Sequence, residues 1–391
     1  MTGPPDSAAR RLLAHLRARQ GEMVDLLARL ARAESPSHDP AAQEPVFALL
    51  ADALAGAGYS ARRYGTRPGA ASGGQLLALP RARRRGAPAQ LLLGHADTVW
   101  SHGTLARMPV ELRDGKLTGP GVFDMKGGLV LAIFALAALA ELELAPPATP
   151  VLFVNSDEET GSDESAAAIR RLARRARRVF VLEPALGPEG RLKTERKGVG
   201  RFTVVVRGRS AHAGLDPEKG ASAILELAGV IQRLAALADP ARGVTINVGV
   251  VAGGTRANVV AAEARAEVDV RVATAADGRA VERAILALAP ATPGTTIAVT
   301  GAVDRPPLER TARNRALFAA ARAAAAELGL DLGEGFAGGG SDGNTTSLYA
   351  ATLDGLGAVG DGAHAGHELV WVDRLPERAA LLAMLLLAPL G

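Results

Sequence analysis

Cysteine is absent from the 391 residues of this chain, and aromatic residues make up only 3% of it. Without cysteine there are neither disulfides nor thiolate metal ligands, so any metal must be held by histidine and carboxylate side chains. The scarcity of aromatic residues leaves few side chains on which nucleic-acid bases could stack. A disulfide scaffold and a thiolate cluster are therefore excluded, whereas a metal site built from His, Asp and Glu is not.

A membrane-directed segment is also missing from the sequence. The first residues, MTGPPDSAARRLLAHLRARQ, lack the apolar core of a signal peptide. The longest apolar run extends from residue 127 to residue 140 and is too short to span a bilayer. We therefore expect a cytoplasmic protein with no membrane partner.

The net charge is +4, and arginine is concentrated in RARRRG at residues 81–86 and RRLARRARR at residues 170–178. Basic clusters of this kind can bind nucleic acid. The second cluster is interrupted by Leu172 and Ala173 at helical spacing, which favours a solvated helix face instead. We therefore expect no nucleic-acid partner, and binding through these arginines is kept as a remote alternative.

The chain length predicts two domains. Within residues 1–196, helical patterns alternate with short, uniformly apolar runs bounded by turn residues. We predict helices at residues 8–32 and 43–58, and a third over MKGGLVLAIFALAALAEL that Asp124 can start. Buried strands are predicted over QLLALP, AQLLLGHAD, TPVLFVNS and RRVFVLEP. This alternation is typical of an α/β domain with a mostly parallel sheet between helices.

The pattern changes near residue 197, where GVGRFTVVVRGRSAHAG alternates apolar and polar residues as a half-exposed strand does. Residues 197–304 are predicted to follow the order strand, helix, strand, strand, helix, strand, which gives an open α/β sandwich. Residues 305–391 then return to the first domain, so the smaller unit is an insertion. The helices predicted in these two segments cover residues 220–237, 277–288, 314–328 and 374–387.

Acids and histidines follow the predicted strands at their carboxyl ends. In NSDEETGS, residues 155–162, three consecutive acids follow a buried strand, and their mutual repulsion indicates that a cation compensates them. Because the carboxyl ends of parallel strands lie along one edge of a sheet, separate segments deliver their ligands to the same place. The candidate residues are His95, Asp97, Asp124, Glu158, Glu159, Glu183 and His364.

Each of these residues also has a structural interpretation. A lone histidine is often a packed or surface residue, and Asp124 could cap a helix. Their joint placement at strand ends favours a metal site. Zinc suits His and carboxylate ligands, and two zinc ions about 3.5–4 Å apart need a bridging carboxylate. One acid must remain available as a general base, and the adjacent Glu158 and Glu159 can divide binding and catalysis between them.

An ordered series of motifs resembles the co-catalytic zinc peptidases and deacylases, the family that includes aminoacylase, carboxypeptidase G, acetylornithine deacetylase and succinyl-diaminopimelate desuccinylase. The motifs run in order from residue 94 to residue 370 and so span most of the chain. They are GHADTV, GPGVFDMKGG, SDEETGS, LEP, RSAHAG, GGTRANVV, DVR, GGGSDGN and HAGHELV. The resemblance implies a zinc-peptidase catalytic domain with an inserted lid and dimerisation domain, and hence a homodimer.

The resemblance further implies two Zn²⁺ ions, with Co²⁺ or Mn²⁺ as substitutes. The implied ligands are His95 and Glu183 for one ion, Glu159 and His364 for the other, and Asp124 as the bridge. The peptide bond after Asp124 resembles the cis bond of the family. His364 is chosen over His367 because the family places a glutamate four residues after its histidine, as Glu368 follows His364 here.

Catalytic roles are implied for three more residues. Asp97 would orient His95. Glu158 would act as the general base and then protonate the leaving amine. His212, in the inserted domain, would reach the active site of the other subunit and stabilise the oxyanion; its alternative is an ordinary turn residue.

The inserted domain would also hold the substrate. Asn258 and Arg271 are the implied contacts, with Arg271 pairing with the terminal carboxylate of the substrate. Arg305 is a candidate second carboxylate contact, and Gly340 would let the backbone approach the substrate. A surface ion pair is the alternative for each arginine.

The stretches RPPLERT and DVR resemble the carboxypeptidase G, or glutamate carboxypeptidase, branch. That branch predicts hydrolysis of an amide bond with release of a C-terminal free amino acid, for which glutamate is the candidate. The alternative is an N-acyl-amino-acid deacylase of the aminoacylase or acetylornithine deacetylase type. Such an enzyme would use the same metals and base with a different pocket.

Overall fold

The computed structural model describes residues 7–65, 71–83 and 86–390, and the chain divides into two compact units. The first unit comprises Met1–Thr194, Arg310–Phe336 and Ser341–Gly391, and the second comprises Glu195–Glu309 and Ala337–Gly340. The sequence placed the insertion at residues 197–304. Residues 1–6 at the amino terminus, and Arg84 and Arg85 of the first arginine cluster, lie outside the described residues.

Ten α-helices occur among the described residues. They are α1 Ala8–Ala18, α2 Gln20–Arg32, α3 Glu44–Gly56, α4 Gly127–Glu141, α5 Ala166–Ala173, α6 Ala223–Ala235, α7 Ala275–Leu286, α8 Ala312–Glu327, α9 Asp342–Thr346 and α10 Leu375–Leu387. Short 3₁₀ turns cover Thr104–Ala106, Glu158–Thr160, Pro217–Lys219, Pro240–Arg242 and Val372–Arg374. A single wide helical turn, Val122–Lys126, precedes α4.

Sixteen β-strands accompany these helices in the described part of the chain. They are β1 Tyr59–Tyr64, β2 Gln75–Pro80, β3 Ala89–His95, β4 Glu111–Arg113, β5 Lys116–Thr118, β6 Thr149–Asn155, β7 Ala176–Val181, β8 Leu192–Arg196, β9 Gly198–Arg207, β10 Thr245–Gly253, β11 Glu263–Val272, β12 Thr296–Arg305, β13 Glu334–Ala337, β14 Ala351–Leu353, β15 Gly360–Asp361 and β16 Leu369–Trp371.

The main sheet of the first unit has the strand order β1-β2-β6-β3-β7-β14. Strand β3 runs parallel to β6 and β7, and β14 runs parallel to β7, whereas the β1–β2 hairpin is antiparallel and lies at one edge. Successive residues of β3 point into different cores: Leu92 belongs to the core that contains α4, and Leu91 and Leu93 to the core that contains Ile169 of α5. Burial on both faces explains why these strands are uniformly apolar.

Helix α4 is the central core element of the first unit. The apolar run at residues 127–140, which alone is too short to span a bilayer, lies within Val122–Glu141, the one described helical stretch that is long and apolar enough to cross a membrane. However, 94% of its most apolar part is buried within the fold. It packs against α10, whose leucines Leu381, Leu382, Leu385 and Leu386 are also buried. Each such leucine contributes about 1.5–3 kcal/mol by leaving water, so burial in the core accounts for the apolar composition of α4.

Two local predictions of the sequence were wrong. The helix expected at residues 8–32 is broken at Arg19, whose backbone (φ −106°, ψ 13°) leaves the helical region between α1 and α2. Asp124 does not start α4: the residue before that helix is Lys126, and no side chain caps the helix. The backbone at Asp124 and Met125 is non-helical, which frees the Asp124 carboxylate from a capping role.

The second unit contains β9, α6, β10, β11, α7 and β12 in that order along the chain. Its antiparallel sheet has the order β10-β11-β9-β12, and α6 and α7 pack on it around a core of valines and leucines. The alternating burial of β9 and β11 matches a sheet that is covered on one face.

The chain leaves and re-enters the first unit at neighbouring points. Thr194, the last residue before the insertion, donates its hydroxyl to Glu334 Oε2 over 2.7 Å. Arg310, the first residue after it, donates Nε to the same oxygen over 3.0 Å. One carboxylate therefore joins the two ends of the interrupted unit.

Candidate metal centre

The strands of the first unit bring the predicted residues to one edge of the sheet. His95 is the last residue of β3 and pairs in register with Asn155, the last residue of β6. Glu158 and Glu159 follow β6 on a 3₁₀ turn, and Glu183 lies just beyond β7. All three strands are parallel, so their carboxyl ends and the acids that follow them meet at one place.

Asp97 organises this edge from a fully buried position. Its carboxylate accepts hydrogen bonds from the Ser37 hydroxyl (2.8 Å) and from the backbone N–H of Glu159 (3.2 Å) and Glu158 (3.4 Å). Nδ1 of His95 lies 2.9 Å from the backbone C=O of Asp97 and 3.4 Å from its carboxylate. Burial alone would raise the pKa of Asp97, but His95 and the hydrogen-bond donors lower it below its ordinary value. Asp97 thus stays ionised and sets the orientation of His95 and of both glutamates.

Asp124 lies between two histidines. Its Oδ1 is 3.4 Å from Nε2 of His95, and its Oδ2 is 3.4 Å from Nε2 of His364. The peptide bond from Asp124 to Met125 is cis, as the resemblance implied. Among the described residues, neither His95 Nε2 nor Asp124 Oδ1 has a hydrogen-bond partner, although both atoms are buried. Unpartnered ligand-type atoms that face each other in this way are suited to a metal ion.

The remaining candidates complete two overlapping groups. His364 Nε2 lies 3.2 Å from the Glu159 carboxylate, and His95 Nε2 lies 3.7 Å from Glu183. Ligand-type atoms lie within 4.8 Å of one another in two sets, His95 with Glu158 and Glu183, and His95 with Asp124 and Glu159. His367, in contrast, is exposed and its nearest acid is Asp361 at 4.0 Å. His95 is common to both sets, and Asp124 is the carboxylate that faces both His95 and His364.

The charges of this cluster show what a cation would replace. Although burial opposes ionisation of Asp124, the two imidazoles hold its pKa well below the ordinary range. The carboxylates of Asp124 and Glu159 raise the pKa of His364 to about 10. Burial opposes protonation of His95, but Asp124 and Asp97 still raise its pKa well above the ordinary value. Burial raises the pKa of Glu159. In the metal-free cluster, protons on the histidines therefore compensate the negative charge of the carboxylates, which divalent cations would otherwise neutralise.

Glu368 is a residue whose importance the sequence signalled only through its spacing from His364. It is fully buried, and four donors converge on its carboxylate. Oε1 accepts the backbone N–H of Phe123 (2.9 Å) and Asp124 (3.0 Å), and Oε2 accepts that of Gly121 (2.9 Å) and Nε1 of Trp100 (2.8 Å). Burial raises the pKa of Glu368, and these donors oppose that shift by stabilising the ionised form. Glu368 therefore fixes the backbone that carries Asp124.

Other polar residues near the strand ends have structural contacts. Asp157, the first acid of the triplet, accepts the backbone N–H of Glu164 (2.8 Å) and Ser165 (3.1 Å) and so shapes the turn. Asp342 accepts Nδ2 of Asn155 over 2.8 Å. Ser341 caps α9, where its hydroxyl accepts the backbone N–H of Gly343. The sequence left the roles of Ser341 and Asp342 open, and these contacts stabilise the turn and the helix beside the cluster.

The five residues assigned to catalysis or substrate binding outside the metal cluster all belong to the second unit: His212, Asn258, Arg271, Arg305 and Gly340. His212 is exposed, and its Nδ1 accepts the backbone N–H of Gly214 and Leu215, each over 3.2 Å. Because Nδ1 accepts, the neutral ring carries its proton on Nε2 and can donate from there. The backbone C=O of Asn258 accepts the N–H of Ala213 over 3.0 Å, which ties these two loops together.

Arg271 makes a bidentate ion pair with Asp269, with distances of 2.8 Å from Nε and 3.0 Å from Nη2. This is the ion pair that the sequence offered as the alternative to a substrate contact. Arg305 ends β12, and its Cδ would lie 2.8 Å from a Cβ added at Gly340. Glycine at position 340 therefore leaves room for the Arg305 side chain.

The sequence predicted that the second arginine cluster forms a solvated helix face. The structure shows that it does not form a single one. Helix α5 ends at Ala173, and Arg178 lies on β7. Arg178 is buried, donates Nε to Gln90 Oε1 over 2.9 Å and donates Nη2 to the Ala388 C=O over 2.8 Å. Arg174 stacks over Tyr349 at 4.6 Å. Two members of the cluster thus serve the fold, which weakens the nucleic-acid alternative.

Comparison with known proteins shows which family this chain resembles. The profile of peptidase family M20/M25/M40 matches residues 91–388. Carboxypeptidase G2 of Pseudomonas sp. (strain RS-16) is 30% identical over 308 residues, which cover 78% of this chain and 74% of that protein.

Two solved structures illustrate the likeness in fold. The aminopeptidase PepT from Bacillus cereus has a TM-score of 0.77 at 22% identity, covering 94% of this chain and 98% of that one. The YXEP protein of Bacillus subtilis, described as a dinuclear metal binding peptidase from the M20 family, has a TM-score of 0.66 at 14% identity, covering 95% and 98%. At these identities the likeness establishes the fold alone.

Proposed function

Because the chain belongs to peptidase family M20/M25/M40 and is thereby a metal-dependent hydrolase, we propose that it is a dinuclear zinc carboxypeptidase. It would cleave an amide bond and release a C-terminal free amino acid. The observation that carries this proposal is Asp124, whose two oxygens each lie 3.4 Å from a different histidine, a position suited to a carboxylate shared by two ions. His95 and Glu183 would hold one ion, and Glu159 and His364 the other.

Bound at these ligands, two zinc ions would supply Lewis-acid activation of a water molecule and of the substrate carbonyl. Glu158 would accept the proton of the attacking water and deliver it to the leaving amine. The backbone N–H of Glu158 is held by Asp97, which also orients His95, so the base and one ligand are set by the same side chain. Asp97 itself would stay ionised throughout.

The second unit would recognise the amine side of the substrate. Arg271 would bind the terminal carboxylate with guanidinium N–H groups other than the two that Asp269 accepts, and Asp269 would orient the guanidinium plane. Asn258 and Arg305 would add polar contacts to the substrate, and Gly340 would let the protein backbone approach the substrate closely. His212 would donate its Nε2 proton to the developing oxyanion.

We further propose a cytoplasmic homodimer in which His212 serves the active site of the other subunit. The proposal rests on the family resemblance of the RSAHAG motif. Sedimentation at micromolar concentration should show a dimer, and a fully active monomer would contradict the assignment of His212. Glutamate is the proposed released residue, because RPPLERT and DVR resemble the glutamate carboxypeptidase branch. An N-acyl-amino-acid deacylase with the same metals and base is the second candidate.

The decisive experiment replaces the proposed base while leaving the ligands in place. Glu158→Gln should keep two zinc ions per chain and lower kcat by about 10²–10⁴-fold, because only proton transfer is lost. The matched control is Glu143→Gln, which alters an exposed glutamate on the same unit and should leave kcat unchanged. Metal content is measured by atomic emission and turnover with acyl-glutamates, N-acyl-amino acids and dipeptides. Normal turnover by Glu158→Gln would remove the assignment.

A further inference from the structure

A cleft of about 300 Å³ opens in the first unit beside the carboxylate of Glu159. Two loops form its walls, residues 36–39 after α2 and residues 98–102 after β3, and the turn that carries Glu159 closes one side. We propose that this cleft is the acyl-side subsite of the enzyme, and that it selects substrates whose acyl residue is aliphatic. The proposal rests on the function given above.

The orientation of the substrate follows from the position of the proton donor. Glu158 lies with His95 and Glu183 in one group of ligand-type atoms, Glu159 lies with His95 and Asp124 in the other, and His95 is the member that the groups share. The leaving amine must come within reach of Glu158, which protonates it. The carbonyl substituent leaves on the side opposite the leaving amine, and the proposal assigns that side to the cleft lined by Glu159.

The walls of the cleft are built before any substrate arrives. Ser37 donates its backbone N–H to Thr98 C=O over 3.1 Å and its hydroxyl to Asp97, so both loops are tied to the residue that orients the metal ligands. Trp100 is held through Nε1 by Glu368 at 2.8 Å. A subsite with fixed walls discriminates between substrates by shape and polarity, because little reorganisation is needed for binding.

The lining defines the chemistry that the cleft accepts. Val99 is 43% exposed although it is apolar, and with Trp100 it offers an exposed apolar wall. No lysine or arginine lines the cleft in the described part of the chain; its ionisable side chains are Asp39, Glu159, His38 and His102, and His102 already lies 3.5 Å from the carboxylate of Glu34. An anionic acyl group would therefore meet the Asp39 carboxylate with no lysine or arginine to pair with. The volume is at the lower end of ligand pockets, which suits a single aliphatic residue.

The test compares two blocked dipeptides that share C-terminal glutamate, N-acetyl-Leu-Glu and N-acetyl-Asp-Glu. The wild-type zinc enzyme should favour the leucyl peptide in kcat/KM by at least about tenfold. Val99→Lys should shift this ratio toward the aspartyl peptide by about tenfold or more, because it replaces the apolar wall with a cation. Val99→Ser, a milder change that removes apolar surface, should lower only the leucyl rate.

Leu112→Lys is the matched control, since Leu112 is an exposed apolar residue (57%) of the same unit outside the cleft. It should leave the ratio unchanged, and zinc content should be unchanged in every variant. If the wild type hydrolyses the peptides but neither Val99 variant moves the acyl ratio, the cleft assignment alone is overturned. If the zinc-loaded wild type hydrolyses neither peptide nor any acyl-amino acid, the carboxypeptidase proposal fails and the subsite with it.

Discussion

Replacing Glu368 by glutamine tests whether one buried carboxylate holds the bridging ligand in place. Each of its oxygens accepts two donors, Phe123 and Asp124 N–H on one side, and Gly121 N–H and Trp100 Nε1 on the other. A glutamine has one carbonyl oxygen and one NH₂ group, so whichever way it turns, two buried donors face another donor.

The size of the effect follows from that count. A hydrogen bond to a charged group contributes about 1.5–3 kcal/mol, so losing two of them costs about 3–6 kcal/mol. Glu368→Gln should therefore lower the unfolding midpoint of the first unit by at least about 6 °C. Because the backbone that carries Asp124 loses one of its supports, zinc affinity should also fall by about 10–100-fold.

Two companion variants separate these effects. Trp100→Phe removes one donor and leaves Asp124 supported, so zinc affinity should stay within about twofold of the wild type. Glu327→Gln, at the exposed end of α8, controls for the loss of a charge. Calorimetric unfolding and competitive zinc titration give the two quantities. Wild-type zinc affinity in a folded Glu368→Gln protein would refute the idea that Glu368 positions the bridge.

Two further outcomes are expected. In the metal-free protein the pKa values of His95 and His364 are raised, the latter to about 10. The two protonated histidines therefore stabilise the folded state fully below the ordinary histidine pKa, and this contribution is lost as the pH rises toward 10. Zinc binding at pH 7 should accordingly release about two protons, measurable by calorimetry in buffers of different ionisation enthalpy; release of none would contradict those shifts. Separately, Gly128→Ala would place a Cβ 1.9 Å from the backbone oxygen of Leu182 and should destabilise the first unit by about 1–3 kcal/mol in denaturant unfolding. Gly21→Ala, with open space around the added Cβ, should be neutral or stabilising, and equal effects of the two would refute the packing argument.

The sequence was most informative where burial and chain direction act together. The apolar runs of β3, β6 and β7 are buried on both faces, and that requirement left a pattern readable without a structure. Because these strands are parallel, the acids and histidines that follow them were expected at one edge, and His95, Glu158 and Glu183 do lie together there.

The features that the sequence missed depend on contacts between distant residues. The break at Arg19 interrupts an apolar pattern that continues unchanged through it, so periodicity alone could not reveal it. Glu368 gains its role from donors more than 240 positions away in the chain, and no local motif encodes that. The pairing of Arg271 with Asp269 is local, but an alternating strand pattern does not say which neighbours form ion pairs.

The carboxylate of Glu334, which binds both Thr194 and Arg310, makes the larger unit almost continuous across its long interruption. A polypeptide whose exit and return points are so close can accept, lose or exchange whatever lies between them with little strain on the remainder. Loop-closure entropy grows only slowly with length, by about 0.6 kcal/mol for each doubling. The 115 intervening residues, Glu195–Glu309, therefore cost about 3 kcal/mol more than a four-residue turn. Exchange of one inserted domain for another at this junction is a route by which new substrate specificities could arise while the first unit and its candidate metal centre stay unchanged.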